Sequence, residues 1–236
     1  MPSSLKSLCT RRLPGVAILL AGLLTAVAAH ADLAGPITVS LIAPGGVIGN
    51  PAPISLFDPV TPGPGVEISA GDGTNVGSFM LATPMGLSEQ IDFSGNSILV
   101  RVVAGNVDAG NNLVTGYLGL GPEHARYEFD GLNVAGSTIT GLNLGSADGF
   151  TFVGFSGVAS PAAPGSYIHL VSPSRIVFDL DTLVFKDRGL GQGNNYAEFR
   201  IDLVTAAVPE PGQYALMLGG LLLLGGVRAW RAAPHA

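Results

Sequence analysis

The chain has 236 residues, of which 47% are apolar and 12% charged, with a net charge of −6. That much apolar content excludes a disordered chain, and the length fits one domain of ordinary size once the end segments are set aside. The stretch from Asp32 to Val208 carries nearly all the acids and only Arg101, Arg126, Arg175, Lys186, Arg188 and Arg200 as cations, which excludes nucleic acid as a partner.

At the front, Lys6, Arg11 and Arg12 form a positive region ahead of an apolar run at 16–29, broken only by Gly22 and Thr25. Ala29-His30-Ala31 then supplies small residues two apart, the pattern that signal peptidase cleaves, before Asp32. The run is short of the roughly 20 residues a comfortable membrane span needs. Residues 1–31 therefore read as a signal helix that is removed, with Ala29 and Ala31 flanking the cut and the export translocon and signal peptidase as partners. Cys9, the sole cysteine, lies inside this segment and precedes the apolar run. It is not placed as a lipoprotein cysteine, and the mature protein has neither a disulfide nor a thiol nucleophile.

The body, residues 32–207, alternates apolar and polar residues with a period of two. Ile37, Val39 and Leu41 alternate with Thr38 and Ser40, and Tyr127 and Phe129 with Arg126, Glu128 and Asp130. Ile176, Phe178 and Leu180 follow the same pattern, as do Ala197, Phe199, Ile201 and Leu203. The runs at 98–104 and 150–155 are apolar on both faces, which suits more central strands. Glycine-, Asp- and Asn-rich clusters at 71–75, 105–112 and 189–195 mark turns. No part of the body shows a long helical period. The fold class is all-β: an antiparallel β-sandwich body. Proline- and glycine-rich stretches at 44–65 and 160–174 read as long loops. A ten-residue echo, Gly131-Leu132-Asn133-Val134 and Gly141-Leu142-Asn143-Leu144, reads as a hairpin, because two copies fall short of a solenoid.

Candidate chemistry in the body is sparse. His124 and His169 have no His, Cys or Asp at ligand spacing in the sequence, which makes a poor zinc site. Ser156 misses the Gly-x-Ser-x-Gly elbow by one residue, and the α/β framework that the elbow requires is missing. Glu128 with Asp130, and Asp179 with Asp181, share strand faces and so could reach glycosidase separations, although a solvent-facing polar stripe gives the same pattern. Asp72-x-Thr74-Asn75 and Asp108-x-x-Asn111-Asn112 set oxygen ligands in glycine turns, so a bound calcium ion stays open, although turns favour these residues anyway. No other cofactor, no metal site and no catalytic residue is expected.

At the end, Val208-Pro209-Glu210-Pro211-Gly212 precedes an apolar run at 214–227 and then Arg228-Ala229-Trp230-Arg231. Two prolines fix two φ angles and remove two backbone donors, so the segment is extended and unfit to join a sheet. The run of about 14 residues spans roughly 21 Å as a helix, short of the roughly 30 Å bilayer core, so Trp230 and the arginines belong near an interface. Arg228 and Arg231 act as a cytoplasmic basic stop, with the acidic body translocated. Segment 208–231 is thus a second end signal, containing a C-terminal transmembrane helix. A plain C-terminal anchor behind a proline linker would use the same residues.

Pro-Glu-Pro, a short apolar helix and terminal arginines, in that order and behind a signal peptide, resemble the PEP-CTERM sorting domain. The basic end departs from the commonest pattern, its arginines being separated by Ala229 and Trp230. In that family the tail is recognised by exosortase, a membrane-embedded cysteine-dependent transpeptidase or protease of Gram-negative bacteria that also make extracellular polysaccharide. The resemblance implies that Pro209, Glu210 and Pro211 are the sorting motif, with processing at or near it. It further implies a protein that is exported, held transiently in the inner membrane, and then delivered to the cell envelope or the extracellular space. There it would be a non-enzymatic surface or matrix protein, associated with exopolysaccharide or biofilm. The body leaves two alternatives open: a carbohydrate-binding module using loop aromatics such as Tyr167, or a secreted hydrolase.

Overall fold

The computed structural model describes residues 32–82, 88–144, 155–161, 163–189, 194–208 and 216–222. Fifteen strands run in chain order: β1 (Ile37–Ala43), β2 (Ile54–Val60), β3 (Val66–Ser69), β4 (Gln90–Ser94), β5 (Ser97–Val103), β6 (Asn106–Val107), β7 (Leu113–Val114), β8 (Arg126–Asp130), β9 (Ser137–Asn143), β10 (Phe155–Ser156), β11 (Val158–Ser160), β12 (Ile168–Ser172), β13 (Arg175–Asp179), β14 (Val184–Phe185) and β15 (Tyr196–Ala207). All paired strands are antiparallel. They form a five-stranded sheet in the order β12-β13-β8-β1-β2, and a larger sheet in the order β10-β15-β5-β4-β3 in which β9 pairs with the far part of β15. A small sheet follows the order β11-β14-β7-β6.

Register explains why the alternation matters. Across the five-stranded sheet, Ile168, Phe178, Tyr127, Leu41 and Leu56 stand opposite one another in a single row. The next row is Leu170, Ile176, Phe129, Val39 and Asp58. In the larger sheet, Phe199 stands opposite Val100, which stands opposite Ile91. These inner rows meet in one apolar core. The Phe178 and Phe199 rings contact edge to face at 4.7 Å, and Phe93 meets Phe129 at 6.1 Å. Each buried ring or branched chain contributes about 1.5–3 kcal/mol to holding the two sheets together.

Two strands differ from expectation. The stretch 44–65, read above as a loop, contains β2, and 160–174 contains β12. Both are the outer strands of the five-stranded sheet. An edge strand pairs on one side only and tolerates proline, so Pro59 and the mixed pattern of β2 fit there. The run at 98–104 is β5, flanked by β4 and β15, as its two-faced apolar pattern implies. The repeated Gly-Leu-Asn motif is not one hairpin: 131–134 forms the turn between β8 and β9, whereas Leu142 and Asn143 pair with β15.

Asp58 ends an apolar row, yet it is buried. Its carboxylate accepts N–H groups from Val76 at 2.6 Å and Asn75 at 3.1 Å, and so caps the helical turns at 74–80 that close the side of the core beside β2.

Both ends of the body are tied to one turn. Leu33 bridges Val134, Ala34 N–H bonds Asn133 O, and at the other end Val208 N–H bonds Gly136 O. The opposite pole carries the small sheet and the segments at 44–53, 104–125 and 180–189. Residues 216–222 are helical and leave Leu216, Met217, Leu218, Leu221 and Leu222 exposed. Among the described residues, no helix is long and apolar enough to cross a membrane.

Candidate functional site

The sorting residues Pro209, Glu210 and Pro211, the cleavage alanines Ala29 and Ala31, and the basic Arg228 and Arg231 lie outside the described residues. The candidate residues of the body lie within them, and several have unexpected partners.

Tyr167 is no ligand platform. The 3-10 turn Pro164–Ser166 directs it inward, where it is fully buried against Phe178 and Phe199, with both ring centroids at 6.0 Å. The histidines have acidic neighbours that the sequence did not reveal. His124 Nδ1 lies 3.0 Å from Asp181 Oδ1, and His169 Nε2 lies 3.5 Å from Asp179 Oδ2. Burial raises the Asp179 carboxyl, while the nearby His124 and His169 pull it down. Glu128 is committed to structure: Arg126 Nε reaches its Oε1 at 2.6 Å and an Arg175 guanidinium nitrogen its Oε2 at 2.5 Å. A carboxylate held on both oxygens by arginines is a poor water-activating base. Asp130 accepts the Gly131 N–H, and the backbone of Ser156 pairs with Glu198.

The two turns considered for calcium spend their oxygens on themselves. Asp72 accepts Ser69 N–H at 2.7 Å, Thr74 N–H at 2.8 Å and the Thr74 hydroxyl at 2.7 Å. Burial works against the charged form of Asp72, but the Thr74 hydroxyl and these amides still hold its carboxyl below the usual range. Asp108 is likewise held low by the Asn112 side chain and amide and by Gly110 N–H. Among the described residues, no three His, Cys, Asp or Glu side chains are grouped to hold a metal ion.

The loop-bearing pole holds what sequence reasoning missed. Glu89 is fully buried, and its carboxylate accepts Leu81 N–H at 3.0 Å, Val103 N–H at 3.2 Å and the Tyr117 hydroxyl at 3.0 Å. Burial pushes the Glu89 carboxyl up to about 7 despite these donors. The buried Tyr127 hydroxyl lies close by, facing Glu89 and the Tyr117 hydroxyl. The signal was present: Glu89 is in phase with Ile91 and Phe93 and so belongs to the inner face of the larger sheet. Beside this cluster is a cavity of about 240 Å³, lined by Val47, Ile48, Phe79, Leu81, Asn106 and Tyr117 among others. On the outer face of the larger sheet, Arg188 and Arg101 lie 4.5 and 5.6 Å from the Tyr196 ring centroid, and Arg101 pairs with Glu198.

No family model matches the chain, nor does any curated protein or solved structure.

Proposed function

We propose that the chain is an exported cell-envelope or extracellular-matrix protein. It is delivered by the general export pathway, held briefly in the inner membrane by its apolar tail, and released by an exosortase acting at Pro209-Glu210-Pro211. Its body is a β-sandwich without enzymatic activity that associates with exopolysaccharide.

The observation that supports this reading is that the residues between the two end segments carry their own sheets and a continuous apolar core. Leu33, next to the expected new N-terminus Asp32, and Val208, next to the proline motif, are each tied to the body by backbone hydrogen bonds. Leu33 and Val208 are both tied to the turn at 131–137. The exposed Leu216, Met217, Leu218, Leu221 and Leu222 suit a non-aqueous environment, as the tail reading requires.

The reading is tested by Glu210→Ala in a host that encodes an exosortase. Loss of the motif leaves the protein in the inner-membrane fraction with its tail attached, whereas the parent is released. Equal release of both would overturn the sorting role of the motif.

A further inference from the structure

The cavity at the loop-bearing pole is built for a ligand of narrow description. At about 240 Å³ it is smaller than the roughly 300–1,000 Å³ of pockets for drug-sized molecules, so it holds one ring at a time. Phe79 on its rim is 43% exposed and Ile48 is 36% exposed, which leaves apolar area uncovered beside a concave surface. The Tyr117 ring is held in place through its hydroxyl on Glu89, so the wall is rigid before anything binds. Gly105 keeps the floor bare: a Cβ there would lie 2.5 Å from Thr115 O and closer still to the Leu81 side chain.

Polarity narrows the class. No charged side chain lines the cavity among the described residues, so a charged ligand would be desolvated without a partner. The Thr115 hydroxyl is already spent on Leu180 O. Asn106 uses its Oδ1 to accept Val107 N–H, and its amide N–H groups have no partner among the described residues. An alkyl chain would bury those donors unpaired, at a cost of about 1–3 kcal/mol. A sugar ring offers an apolar C–H face to Phe79 and hydroxyl oxygens to the amide.

We propose that this cavity binds a single neutral pyranose ring. It deepens the exopolysaccharide part of the reading above, but it does not depend on how the chain is exported or processed.

The test uses the full chain in a detergent without a sugar head group, titrated by ligand-observed NMR with methyl glucoside, galactoside and mannoside. Glucuronate and hexanoate serve as the charged and alkyl arms. At least one methyl hexoside binds with a dissociation constant in the millimolar range, and Phe79→Ala weakens it about tenfold or more. Ile48→Ala weakens it as well, and both variants keep the parent's melting temperature. Binding by none of the hexosides, tighter binding of glucuronate or hexanoate, or unchanged affinity in a folded Phe79→Ala and Ile48→Ala pair would each overturn the assignment. Failure of export or processing in the natural host would leave these titrations unaffected, so the two readings fail separately.

Discussion

Replacing Glu89 by Gln removes one titration from the centre of the fold and leaves its shape nearly unchanged. In the folded chain burial raises this carboxyl from 4.5 to about 7. At about 1.4 kcal/mol per pH unit, that difference makes the charged form about 3 kcal/mol less welcome in the folded state than in the unfolded one. Because the folded value is the higher one, the favourable contribution is complete below pH 4.5 and is lost as pH rises through about 7. Gln does not titrate, so the parent's unfolding free energy minus that of Glu89→Gln falls by about 3 kcal/mol over this window and is flat above it. For a domain stable by about 5–15 kcal/mol this is easily measured by urea unfolding at a series of pH values. Both carboxylate oxygens accept backbone N–H groups, from Leu81 and Val103. The Gln amide therefore sets one donor against another, which shifts the whole curve without changing its slope. Parallel curves for parent and variant between pH 4.5 and 7 would refute the reasoning.

Other substitutions probe the packing. Phe199→Asp places a charge where the ring meets Phe178 and Tyr167; we expect the cooperative thermal transition to be lost, and an unchanged melt would refute the register of β15. Gly119→Ala puts a Cβ 2.6 Å from Glu123 O and closer still to the Asp181 carboxylate, so urea unfolding should show a loss of about 1–3 kcal/mol. Adding calcium or a chelator should leave the melting temperature unchanged, because Asp72 and Asp108 are already satisfied by their own turns; a rise with calcium would contradict this.

Strands β1, β5, β8, β13 and β15, each with two paired neighbours, were legible because both neighbours and the core act on the same alternation. Val39 and Leu41, Tyr127 and Phe129, Phe178, Phe199 and Ile201 all fall on the buried face. The edge strands β2 and β12 were not, since one free side relaxes the pattern enough to admit Pro59 and His169. Tyr167 was misplaced for a related reason: a residue in a proline-rich stretch looks like loop until the turn at 164–166 is seen to aim it at Phe199. The His124–Asp181 pair joins residues 57 apart, a separation that no local pattern encodes. Glu89 could have been found, because its phase with Ile91 and Phe93 puts an acid on an apolar face. The cavity could not, because Ile48, Phe79 and the 106–117 segment are distant in the chain and only the closed sheets bring them together.

The central claim is that the two ends of this chain are removed just outside a self-contained fold, and mass spectrometry of the protein recovered from a native cell that encodes an exosortase tests it most directly. The account predicts a mature chain that starts at Asp32, within a few residues, and ends at or near Pro209-Glu210-Pro211. Recovery of a chain that still carries Arg228 and Arg231 would contradict it.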